Sequence, residues 1–444
     1  MRMQLQERPE NEQEKKMTAD RKRSRRICVA ASVVIAVVVL LLATFGIWIQ
    51  KRESNPLFVD GLVPVRTAGR AGVWGYLNED GQFEIEPRYE NAKPFSKNGL
   101  AAVCQEGLWG YIDSQGTIVV QPQFAEAFPF DDNGLAVVEQ DDLLGCINRK
   151  GEFVIPVAYS FIGAFDETGV ARVKKDNQYG FVNTKGEVVV AIKFDNARDF
   201  ADNGLAAVQK SGKWGFINRR GELRIARRFE AVGDFSNNGL AMVRSGNRCG
   251  FVDQSGAYVI WPVYEAAESF GENSLTPVLV DQRWGYVSSQ GEMMIPTLFE
   301  HAEPFGNNGL AAVTVGEKIG FINKSGAFVV QPLFDEIMTF EDTDYVAVCV
   351  NDHWGVLDAN GGLIVKMLYT KVGVNSCGRI AFVDAEGFGG YMDEKGQILV
   401  KPAYDYVGDF CSDGYAVVKK DGLYGIIDRD GKAVAKPKFS AIAQ

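Results

Sequence analysis

A chain of 444 residues that is 46% hydrophobic and 23% charged has the make-up of a globular protein, not a disordered or fibrous one. By length alone it would divide into two or three domains. Its 2 histidines leave little room for a His-rich metal centre or for most general-base chemistry. The net charge of −10 argues against nucleic acid, whose phosphates call for Lys and Arg. The 48 glycines and 28 phenylalanines point to β-structure broken by many turns.

In chain order, the first element is a basic tail, residues 1–26, with 9 basic and 5 acidic residues and no aromatic. Such a composition predicts disorder. Ile27 to Ile49 follows as 23 uncharged residues, long enough as a helix to cross roughly 30 Å of hydrocarbon. A signal-peptide core would be shorter and would end in small residues. This run instead ends in Phe45-Gly46-Ile47-Trp48-Ile49, with Trp48 at the place of an interfacial aromatic. Arg21, Lys22, Arg23, Arg25 and Arg26 outweigh Lys51 and Arg52, so a single-pass anchor with its N-terminus in the cytoplasm is expected. Residues 50–56 then serve as a linker, and everything beyond them is expected outside the cytoplasmic membrane. Beyond the basic tail the chain holds 38 basic and 52 acidic residues, a net −14.

From residue 57 to residue 444 the chain is one repeat. Glycines at 75, 110, 145, 180, 215, 250, 285, 320, 355, 390 and 425 stand 35 residues apart without a slip. Tryptophan precedes five of them, as Trp74-Gly75, Trp109-Gly110, Trp214-Gly215, Trp284-Gly285 and Trp354-Gly355. A second glycine comes six residues after each, and an aromatic eight residues after that, from Tyr89 to Phe439. Asn or Asp opens the intervening turn in ten copies, Ser288 in the other. In Asn218 to Gly221 the side-chain oxygen can hold the turn backbone while the glycine takes positive φ, so each copy should hold a β-hairpin. A third strand precedes it, as in Leu100 to Val103. A connector of about ten residues follows, with a second phenylalanine that should plug the seam between units. Proline near the first aromatic, as at Pro87 and Pro122, should end the hairpin, because it cannot donate to a ladder.

The tract Lys213-Trp214-Gly215-Phe216-Ile217-Asn218, with Gly221 and later Phe229-Glu230, resembles the WG-repeat (KWG-repeat) family over roughly residues 60–440. Copies beginning at Leu144, Ile319 and Gly389 depart by losing the aromatic. The copy around Val372, Asn375 and Arg379 lacks the connector phenylalanine and the Asn-Gly turn. The resemblance implies a bacterial repeat module of the cell envelope or interior, and it brings no catalytic residues. The expected architecture is all-β: eleven 35-residue three-stranded units in an open, solenoid-like superhelical stack in which each unit touches only its neighbours. Closed propellers have about four to eight blades of four strands. A ring or rings becomes the alternative if the connector hides a fourth strand.

The chemistry-bearing residues have structural readings. His301 and His353 lie in different phases of the repeat and read as solvated surface residues. The turn Asn and Asp offer one oxygen per copy where Ca²⁺ wants about six to eight, so turn capping is the better reading. Cys377 and Cys411, 34 residues apart, would be neighbours in stacked units and form a candidate disulfide in an oxidising compartment. The tryptophans, Trp109 and Trp214 among them, could stack on sugars, but a core role is favoured. The expectation is therefore a non-enzymatic scaffold without cofactor or metal that binds a protein or peptide. A cell-wall glycan binder using exposed aromatics is the alternative.

Overall fold

The computed structural model describes residues 55–69, 72–271, 274–306, 308–339, 345–358 and 360–443. Everything described belongs to one compact unit, Lys51–Gln444. The expected anchor at 27–49 and its basic flank lie outside the described residues. Among the described residues no helix is long and apolar enough to cross a membrane.

The described residues form strands throughout, beginning with β1 (Leu62–Thr67), β2 (Trp74–Asn78), β3 (Phe83–Tyr89) and β4 (Asn91–Ala92). They assemble into nine four-stranded antiparallel sheets and one of seven strands. Each sheet is open, with two edges, and none closes into a barrel. The expected three-stranded unit gains a strand because the connector pairs with the unit that follows it. Asn91 and Ala92 of β4 lie opposite Cys104 and Val103. The same connector strand reaches five residues in Glu126–Phe130, Asn196–Phe200 and Ala231–Phe235. A unit therefore runs from connector to aromatic, as 91–124, 126–159 and so on. Its boundary falls between the two aromatics of the sequence repeat.

The turn chemistry is as expected from the sequence. The Asn218 side-chain oxygen accepts the N–H of Arg220 and of Glu222, both at 3.0 Å. Gly221 sits at φ +76°, where a side chain would clash with its own backbone. Ser288 does the same work through its hydroxyl, which accepts from Gln290 and Glu292. Each such oxygen already holds two backbone N–H groups.

The glycine after the tryptophan has a different cause. Trp214 pairs with Phe229 and Phe216 with Ile225, so two residues of one strand face four of the other and the outer strand bulges. That bulge brings backbone directly over Gly215. A Cβ there would lie 2.5 Å from the Ile225 carbonyl oxygen and 2.8 Å from the Arg227 nitrogen. The matching carbonyl stands 2.5 to 2.8 Å from such a Cβ in all eleven copies. The prolines belong to this bulge. Pro87 lies inside β3, which continues to Tyr89, so proline does not end the hairpin. It occupies the irregular stretch where a missing N–H is tolerated.

The core lies between neighbouring sheets. Tyr111, Val120 and Phe124 of one unit pack with Ala127, Phe130, Ala136, Val138 and Ile147 of the next. The connector phenylalanine seals this seam by meeting the aromatic two residues after the tryptophan position. Tyr76 meets Phe95 at 5.0 Å between ring centroids, Tyr111 meets Phe130 at 4.8 Å, and Tyr391 meets Phe410 at 4.8 Å. Where that residue is tyrosine, its hydroxyl also donates to the connector backbone, as from Tyr111 to the Phe128 carbonyl at 2.7 Å.

The two ends of the array meet, which the expected open stack does not allow. The last strand, Ala433–Ile442, runs past Phe439 and pairs with β1, placing Ile442 opposite Val65 and Ala441 opposite Arg66. Ala441 and Ile442 stand ten periods after Asn91 and Ala92, and they pair with β1 as those residues pair with the strand Ala101–Gln105. The Ala443 N–H donates to the Pro64 carbonyl at 3.1 Å, as that of Lys93 does to Ala102. Val63, Val65 and Leu77 share a core with Val417, Ile426, Ala435 and Phe439. These are the positions that form the seam between any two units. Phe58 joins this cluster from the N-terminal side, edge-on to Tyr415 at 4.9 Å, and its N–H donates to Asp413 at 2.8 Å. The first unit is thus completed by the last residues of the array.

Candidate interaction surface

The tryptophans of the repeat are structural. Each lies opposite the recurrent aromatic of the outer strand, Trp74 against Tyr89, Trp284 against Phe299 and Trp354 against Tyr369. Their glycines Gly75, Gly110, Gly215, Gly285 and Gly355 are all buried. Trp109 is only 7% exposed, and the Lys93 ammonium covers its ring at 4.7 Å. Trp109 therefore offers little surface for sugar stacking, the alternative to the core role favoured for it. Trp214 is half-buried against the core, with the Arg198 guanidinium 5.8 Å from its ring centroid.

Much of the acidity of the array is structural too. The carboxylate that follows the recurrent aromatic reaches the tight turn of the next unit and accepts its backbone N–H groups. Glu90 takes Gly107 at 2.9 Å, Asp195 takes Ser211 at 2.6 Å, and Asp335 takes Asn351 at 2.9 Å. Those turns place non-glycine residues at positive φ, Asn351 and Asp352 for example at 51° and 63°. The Lys210 ammonium and the Ser211 N–H hold the Asp195 carboxyl below its usual range. The Phe229-Glu230 pair of the sequence motif is a case of this cap, since Glu230 accepts from Gly246 at 3.0 Å.

The histidines and cysteines form no reactive group among the described residues. His301 Nε2 lies 2.8 Å from Glu303, half-exposed and edge-on to Trp284. Glu303 raises the imidazole pKa and His301 lowers that of the carboxyl, so the ion pair holds between the two values, fading as pH rises through the first or falls through the second. His353 Nδ1 meets only the Asn351 carbonyl in its own turn. Cys377 and Cys411 are both free thiols. They are neighbours, but in place of the candidate disulfide the Cys377 thiol donates to the Cys411 carbonyl at 3.1 Å. Burial, with Asp413 and Cys377 adding to it, pushes the Cys411 thiol up to about 11, which suppresses its thiolate. Buried Arg172 lies 3.1 Å from Asp199 between the rings of Phe161 and Tyr179. Burial of Asp199 outweighs that cation, and its pKa rises.

What stands out is a surface the repeat does not require. On the outer strands, the residue just before the recurrent aromatic is exposed in every copy but one, where Ala158 is half-buried. It is Arg88, Gln123, Ala158, Lys193 and Arg228 in the first five copies, and Ala403 and Lys438 in the last two. In the four consecutive copies between them it is Val263, Leu298, Leu333 and Leu368, exposed by 56, 63, 61 and 60%. Trp261, on the same strand as Val263, is 68% exposed and stacks on Tyr258 at 4.8 Å. Arg228 links this strand to the preceding unit: its Nη2 donates to the Gly256 carbonyl at 2.7 Å, and its guanidinium lies 5.2 Å from the Tyr258 ring. That preceding unit, 196–229, carries eight basic and three acidic residues. Arg219 is engaged by Asp166 and Thr168, both at 2.6 Å. Arg220, Arg224 and Arg227 are exposed, and among the described residues none of their guanidinium groups has a hydrogen-bond or ion-pair partner.

Fold and surface together define an all-β repeat protein whose units present different residues on their outer strands. The family model described as WG containing repeat matches residues 74–109, 109–143, 145–179, 179–214, 214–249, 250–284, 284–318, 319–352, 354–384, 390–424 and 424–443. The chain belongs to the WG-repeat family. No curated protein matches it. Among solved structures it is similar to a crystal structure of the eukaryotic initiation factor, with 11% identity over 86% of this chain and 96% of that one, at a TM-score of 0.39. It is also similar to BamB from Moraxella catarrhalis, with 14% identity over 70% and 95%, and to Hsv2p from Kluyveromyces lactis, with 12% over 52% and 92%, each at 0.30. At these scores none of the three bears on what this chain does.

Proposed function

We propose that the array is a non-enzymatic scaffold that binds a protein or peptide partner along the outer strands of its sixth to ninth copies. The row Val263, Leu298, Leu333 and Leu368 carries this reading, because four adjacent units present apolar side chains where the other copies present charge, amide or alanine. Isolated exposed leucines are ordinary, whereas an aligned row of them is what a partner would cover. Burying one leucine completely is worth about 1.5–3 kcal/mol, so two such residues can set an affinity. A photo-crosslinker at Leu298 or Leu333 is expected to capture the same partner in cells, and one at Glu106 to capture none. Capture should vanish in a folded Leu298→Asp/Leu333→Asp variant. Equal capture at all three positions would reject the surface.

The glycan alternative rests on exposed Trp261, stacked on half-buried Tyr258, in place of Trp109 and Trp214. Glycan-array binding lost in Trp261→Ala but kept in Leu298→Asp would favour it. The location belongs to the same proposal: residues 27–49 anchor the chain in the cytoplasmic membrane with the array outside. Protease added to intact cells is then expected to remove the array, and complete protection would reject this placement.

A further inference from the structure

We propose that the same surface selects an acidic, extended polypeptide segment, recognised by Arg220, Arg224 and Arg227 at one end and by the apolar row at the other. This inference rests on the scaffold reading and names its partner class. The first observation is charge. Beyond its first 26 residues the chain carries a net −14, and many of its carboxylates are tied to turns and to cations, as Asp195 is to Lys210 and Glu230 to Lys213. Unit 196–229 runs against that background at a net +5. Its outer strand, Leu223–Phe229, carries three arginines, two of which keep their guanidinium groups unpaired among the described residues. Arg220, at the hairpin turn leading into that strand, is the third unpaired one. A guanidinium is less strongly hydrated than an ammonium and grips a carboxylate with two parallel hydrogen bonds, so unpaired arginines suit carboxylate recognition better than lysines would.

The second observation is continuity. Arg228 bonds across to Gly256 and lies over Tyr258, on which Trp261 stacks. The arginine strand and the tryptophan strand are therefore held side by side. The matching residues of the two preceding copies are Ala191 and Ala226, so the large aromatic belongs to this copy and not to those before it. From Trp261 the apolar row continues through Val263, Leu298, Leu333 and Leu368. A ligand crossing this surface meets cations first, then an aromatic plate, then four apolar side chains, one from each successive unit. Arginine and tryptophan are the side chains that most often dominate interface energetics. A charged polysaccharide would satisfy the arginines and the tryptophan but has nothing to lay over the leucines. A polypeptide with Asp or Glu at one end and apolar residues at intervals satisfies all three.

The test is selection of a random peptide display library on the full-length protein, with polygalacturonate as a separate polyanion probe. Enriched peptides are expected to carry Asp or Glu beside spaced apolar residues. Synthetic copies should lose at least tenfold in affinity to an Arg220→Gln/Arg224→Gln/Arg227→Gln variant and again on raising the salt. Gln-for-Glu versions of those peptides should bind the original protein as weakly. Enriched peptides without acidic bias, lost on Leu298→Asp/Leu333→Asp but not on the arginine changes, would overturn this inference and leave the scaffold reading intact. No enrichment at all, with polygalacturonate bound through the arginines and Trp261, would overturn both.

Discussion

Phe439→Ala is expected to destabilise the array as much as Phe194→Ala, by about 3–5 kcal/mol, the range for truncating a buried phenylalanine. The two positions are equivalent in the repeat, and both are buried, at 2% and 1% exposure. In an open stack they would differ sharply. Stability in such a stack is a sum of units and of nearest-neighbour interfaces, so the last unit has one neighbour and frays first. A substitution there perturbs only a unit that already opens at little cost, and the main unfolding transition hardly moves. Here Phe439 lies in the core that joins Val63, Val65 and Leu77 to Val417, Ile426 and Ala435, with unit partners on both sides. Chemical denaturation of the two variants beside the unsubstituted protein decides the matter. Equal shifts in the main transition are expected. A shift for Phe194→Ala with little or none for Phe439→Ala would show that the ends come apart on their own.

The same closure marks where reading the sequence stops. The period of 35, the Asn-to-Gly turn and the alternation of each hairpin are local, so residues such as Asn218, Gly221 and Ile225 declare them unaided. The closing contact is not local, since β1 and Ala441-Ile442 carry no Trp-Gly pair and look like leftover ends. The connector strand was hidden for another reason. Two residues, as in Asn91-Ala92, are too few to display a period, and they become a strand only because the next unit offers an edge. The Phe-Glu pair was visible, but the turn that Glu230 caps belongs to the following copy. Trp261 escaped because a repeat is read by what its copies share, whereas a binding surface consists of what one copy has and the others lack. The exposed row from Val263 to Leu368 could have been found by aligning the copies and asking where consecutive ones turn apolar at a solvent-facing position.

Gly215→Ala is expected to cost about 3 kcal/mol, the upper end of the range for forcing atoms into a packed site. A single methyl has this effect because its neighbours cannot yield. The new Cβ would meet the Ile225 carbonyl oxygen at 2.5 Å, the Arg227 nitrogen at 2.8 Å and the Ala226 carbonyl carbon at 2.9 Å. All three are backbone atoms of the bulge that carries the outer strand back to Phe229. Gly212→Ala provides the contrast. Gly212 has φ +76° with nothing within 4 Å of the added carbon, so only the left-handed backbone penalises it, by about 1 kcal/mol. Chemical denaturation should therefore rank Gly215→Ala well below Gly212→Ala in stability, and equal losses would mean that the glycine serves the backbone angle alone. The damage should also be directional. The outer strand must move away to admit the methyl, and with it go Arg224, Arg227 and Arg228, whose bond to Gly256 holds the neighbouring strand of Trp261. The glycine of the repeat motif thus sets how closely the outer strand lies on its hairpin. Through that distance it fixes the surface on which the units differ.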